Sequence, residues 1–138
     1  MGVVPATSRS RSIDAALWGA TALSAGLTLY LSLGPVPPLA GAFPYSDKVW
    51  HALFYACTTF LFLLAAVWRP GRGAGPFPRA GLVGVAAILL AGGAVELLQG
   101  VMTEYREPEL WDWIAELFGV TVALGMLALL RSATEAPA

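Results

Sequence analysis

Of the 138 residues, 57% are hydrophobic and only 12% are charged, about half the charged share of a soluble domain, so the chain has too little polar surface to cover a globule in water. Its net charge of −1 sums groups that stand far apart, and no basic patch with interleaved aromatics points to nucleic acid. The single cysteine, Cys57, lies inside an apolar run, which excludes an intramolecular disulfide, and no Cys/His spacing suits a structural zinc.

The apolar residues gather into four runs, each close to the ~20 residues that cross a hydrocarbon core of about 30 Å. The first, IDAALWGATALSAGLTLYLSL at 13–33, is longer than the ~7–15 residues of a signal-peptide core, and Pro35, Pro37 and Pro38 follow it; it is read as a retained helix. Its small residues Gly19, Ala20, Ala22, Ser24, Ala25 and Gly26 suit close helix packing, within the chain or in a dimer. The connection GPVPPLAGAFPYSDK is long, Pro-rich and partly apolar, as a segment lying along the membrane interface would be.

The second run, VWHALFYACTTFLFLLAAVW, spans 49–68. At its mouth Asp47, His51 and Tyr55 stand four apart and share one helical face. Ser46 suits an N-cap, and Asp47 suits the positive end of the helix dipole. RPGRGAGPFPR then reads as a short basic turn. The third run, 80–102, carries GGAVELLQ: Glu96 and Gln99 share a face, and Gly92 and Gly93 would let another helix come close. A carboxylate inside a span costs on the order of 3 kcal/mol on an exposed helix, so Glu96 needs a partner, a proton or water.

TEYREPELWD is acidic, and Pro108 suits a helix start; Glu104, Glu107 and Glu109 read as solvated loop charges. The fourth run, WIAELFGVTVALGMLALL at 113–130, follows Asp112, which with Glu116 makes a pair four apart on one face. Trp111 and Trp113 fit interfacial anchors, and Arg106 is the natural counter-ion for Glu96, Asp112 or Glu116.

With few backbone partners in lipid and no period-2 alternation, the expected fold is an all-α membrane protein, a bundle of four transmembrane helices over 13–131 between tails 1–12 and 132–138. Arg9, Arg11, Arg69, Arg72, Arg79 and Arg131 flank one membrane side and only Lys48 and Arg106 the other, which predicts both termini in the cytoplasm. That topology gathers Asp47, Lys48, His51, Tyr55, Glu96, Gln99, Arg106, Asp112 and Glu116 at the outer face.

In order and spacing, D-K-x-x-H-x-x-x-Y at 47–55, E-x-x-Q at 96–99, Arg106, and D-x-x-x-E-x-x-G at 112–119 resemble the VanZ-like family of small bacterial membrane proteins. The resemblance covers residues 47–119, about half of the chain, and Glu116 stands where the family has Asn. It implies a multi-pass protein of the bacterial cytoplasmic (inner) membrane, linked to resistance against glycopeptide antibiotics such as teicoplanin.

Two functions fit these residues. In the first, Arg106, Gln99, Lys48, Asp47 and Tyr55 help bind a lipid head group, a lipid-linked cell-wall precursor or the antibiotic, with Arg106 and Lys48 as phosphate partners. In the second, Glu96, Asp112, His51 and Glu116 give an intramembrane enzyme its acid/base groups or hold one metal ion for lipid or lipid-linked sugar chemistry. With a single His, such a site would be carboxylate-heavy; no metal site and no cofactor are assigned from the sequence. Proton-coupled transport fits less well, because the inner half of the bundle offers no ionisable relay.

Overall fold

The computed structural model describes residues 8–34, 43–68, 77–102 and 108–135. Among them four helices run in order: α1 (Ser8–Leu33), α2 (Ser46–Ala66), α3 (Arg79–Met102) and α4 (Leu110–Glu135). All four are long and apolar enough to cross a membrane, with spans Arg11–Leu33, Ser46–Ala66, Arg79–Met102 and Leu110–Ala133. The chain is a multi-pass all-α membrane protein. Helices α1 and α4 run past their apolar cores, α1 from Ser8 and α4 four residues beyond Arg131 to Glu135, because the Ser- and Ala-containing flanks hold no helix breaker.

Helix α2 packs most extensively on α4 and next on α1; α3 makes lighter contacts with α4, α1 and α2, and α1 and α4 share none among the described residues. The α2–α4 seam is made of small residues. Gly119 lies against the Ala52 carbonyl and the Ala56 amide, so any side chain there would drive the two backbones apart. Ala52 and Ala56 on α2 thus face Gly119 on α4, with fully buried Ala123 one turn on. Paired small residues four apart are the usual means of close helix approach in lipid, where van der Waals contact replaces the hydrophobic drive.

Burial follows helical period on α3, at Gly81, Val85, Gly92, Val95, Glu96 and Gln99. The interior divides along its length. Leu63, Val67, Val85, Val120, Ala123 and Leu127 form an apolar core at one end, while Ser46, His51, Glu96, Gln99, Asp112 and Glu116 are buried at the other. Between them, hydroxyls join α1 to α2: Ser24 and Thr28 lie 2.7 and 3.4 Å from the Thr58 hydroxyl.

One sequence expectation is narrowed here and one changes. Added side-chain carbons at Gly19 and Gly26 would meet nothing within 4 Å, so within the chain Ser24, one of the small residues singled out above, bonds α1 to α2 together with Thr28, and the two glycines stand on the outer face. Ser46 is the first residue of α2 and not its cap. The cap is Tyr45, left-handed at φ 64° with no side-chain capping bond, while Ser46 is buried inside the first turn. Tyr45 is not a glycine, so this turn is strained, by about 1–2 kcal/mol. Asp47 and Asp112 do sit in the first turns of α2 and α4.

Candidate functional site

The N-terminal ends of α2 and α4 and the C-terminal ends of α1 and α3 meet at the polar end of the bundle. Gln99 donates from Nε2 to the Ser32 carbonyl at 2.9 Å, tying α3 to α1. Pro108 packs on Gly100, which brings the chain back to begin α4. The ionisable groups then fall into two layers about one helical turn apart.

The outer layer centres on Lys48. Its ammonium lies 2.6 Å from Asp47 Oδ2, 2.6 Å from Asp112 Oδ1 and 2.5 Å from Glu109 Oε2. Lys48 thus links α2 to α4, donating hydrogen bonds to Asp47 and Glu109 and pairing by charge with Asp112. Among the described residues, three acidic groups here face one basic group. A phosphate at this ammonium would have to compete with all three carboxylates. Glu109, read from the sequence as a solvated loop charge, belongs to the layer; its place three residues before Asp112, on the turn entering α4, was the available signal.

The inner layer is different. His51 Nδ1 stands 3.5 Å from Glu116 Oε1 and 3.7 Å from Glu96 Oε1, both beyond hydrogen-bond range. Glu116 is fully buried, and Glu96 and His51 are 5% and 8% exposed. Among the described residues, His51 Nδ1 and both oxygens of Glu96 and of Glu116 have no hydrogen-bond partner. Gly92 makes the room: a side chain there would strike Glu116 Oε2, and the edge of the buried Tyr55 ring faces the same backbone. The neighbouring Gly93 lies under the Trp113 indole, so the GG pair makes room for side chains of α4.

On the far side of the α2–α4 seam runs an open groove of about 1100 Å³. Val49, Leu53, Ile114, Phe118 and Val122 make its wall apolar, and Tyr45, Asp47, Lys48 and Glu109 stand at its polar end. His51, Glu96 and Glu116 are not among its lining residues.

The structure therefore brings together Asp47, Lys48 and Asp112 in one layer and His51, Glu96 and Glu116 in another, with Tyr55 and Gln99 buried beside them. Arg106 lies outside the described residues. Comparison with protein families, with characterised proteins and with solved structures finds no match to this chain.

Proposed function

We propose that the chain acts in the bacterial cell envelope as a VanZ-like protein of the cytoplasmic membrane, with both termini inside, that holds a lipid at its extracytoplasmic end and through it contributes to glycopeptide resistance. The groove carries this reading. From Trp111 to Val122 it follows α4 for a rise of roughly 16 Å at 1.5 Å per residue, about half of a ~30 Å hydrocarbon core and so one leaflet deep. An apolar trough of that depth, polar at one end only, matches an acyl chain with its head group at the surface. Its volume of about 1100 Å³ exceeds the ~300–1,000 Å³ usual for small-molecule sites. Among the described residues, the excess of carboxylate over ammonium at the mouth, Asp47 and Glu109 against Lys48, favours a head group that presents an amine.

The enzymatic alternative fits less well, since the acid/base groups of the inner layer do not line the groove. Native mass spectrometry of the purified protein tests the binding reading. Wild type should retain an amine-headed lipid such as phosphatidylethanolamine in preference to phosphatidylglycerol. Leu53→Trp, which adds bulk on the exposed groove wall away from the Gly119 contact, should lose it and return cells to teicoplanin susceptibility. A folded Leu53→Trp protein with full lipid retention would overturn the proposal.

A further inference from the structure

The inner layer raises a question that lipid binding leaves unanswered. Two buried carboxylates face one imidazole, and a fully protonated His51 would offset only one of them. Leaving an uncompensated charge in a low-dielectric interior costs several kcal/mol, and among the described residues the five nearby donor and acceptor atoms make no hydrogen bonds that would reduce it. What compensates them?

Their geometry suits a metal ion. One atom each from His51, Glu96 and Glu116 lies within 4.8 Å of the others. The spacings of 3.5 and 3.7 Å from His51 Nδ1 are too long for hydrogen bonds but close to the ~3.4 Å edge of a tetrahedron with metal–ligand bonds of about 2.1 Å. We infer that His51, Glu96 and Glu116 form a binding site for one divalent transition-metal ion, zinc being the best fit.

Charge and ligand type support this choice. Two carboxylates and a neutral imidazole carry two negative charges, which a divalent ion cancels. Imidazole nitrogen suits zinc and its neighbours, whereas magnesium and calcium prefer all-oxygen sites. The three ligands come from α2, α3 and α4, so the ion would clamp the lightly packed α3 to the close α2–α4 pair. Gly92, having no side chain, leaves the space that the Glu116 carboxylate occupies. The outer layer is the internal contrast: Asp47, Glu109 and Asp112 also cluster with ligand-like spacing, but the Lys48 ammonium stands among them and supplies the positive charge itself.

The inference does not depend on lipid binding, and its test contains no lipid variable. Purified full-length protein is stripped with EDTA, equilibrated with Zn²⁺ or Mn²⁺ in excess Mg²⁺, washed, and analysed for metal by mass spectrometry, with thermal unfolding followed in parallel. Wild type should hold about one zinc ion per chain and unfold at a higher temperature with zinc than in EDTA. His51→Gln and Glu116→Gln should both lose the ion and the thermal shift, while Glu109→Gln keeps both. Should either variant fail to fold in EDTA, Glu96→Gln takes its place with the same expectation. Wild type that retains neither zinc nor manganese overturns the assignment. So does full metal content in folded inner-layer variants, or loss of metal in Glu109→Gln alone, which would move the ion to the Lys48 layer.

Discussion

Two acidic layers lie one turn apart in the same bundle, and they solve the cost of burial in opposite ways. In the outer one Lys48 reaches three carboxylates at 2.5–2.6 Å. In the inner one His51 stands 3.5 and 3.7 Å from two glutamates, and no bond forms. Depth accounts for part of the difference. A lysine at a helix end keeps its stem along apolar surface and its head near water, whereas a residue one turn deeper has no such outlet. The outer layer is closed electrostatically by the chain's own cation. The inner layer, among the described residues, sets His51 alone against two carboxylates.

The largest effect should come from breaking the closed layer. Lys48→Met leaves Asp47, Glu109 and Asp112 without their cation, and Asp112 is buried; unfolding titrations in detergent should show a loss of about 3 kcal/mol. Next is the seam on which both layers depend. Gly119→Leu should cost about 2 kcal/mol by pushing Ala52 and α4 apart, whereas Gly125→Leu, where an added carbon meets nothing, should change stability by less than about 0.5 kcal/mol. The inner layer should respond with the opposite sign. In EDTA, Glu116→Gln removes one of two like charges and should raise stability by about 1 kcal/mol, where Lys48→Met lowers it. Smallest is Thr58→Val, which removes the hydroxyl link to Ser24 and Thr28 between the layers and the apolar core, and should cost about 0.6 kcal/mol in the same assay.

Much of this was legible in the sequence, for a physical reason. Apolar runs of bilayer length dictate helices, and a spacing of four dictates shared faces, so Asp47, His51 and Tyr55, and Asp112 and Glu116, could be grouped without coordinates. The neighbours across helices could not. Only packing shows that Lys48 meets Glu109 and Asp112 together, because that depends on how closely Gly119 lets α4 approach α2. Small residues mark sites of close approach without saying which face is used; hence Gly19 and Gly26 point outward while Ser24 and Thr28 do the work. Capping chemistry misled at Ser46, since the chain enters α2 through a left-handed tyrosine that composition gives no reason to expect.

The lengthwise division of the interior has one more consequence. Below the acidic layers, Leu63, Val67, Val85, Val120 and Leu127 fill the bundle with hydrocarbon and offer no chain of ionisable groups onward. Among the described residues, the buried charge is thus confined to one end of the bundle, and the other end is held together by dispersion and close packing.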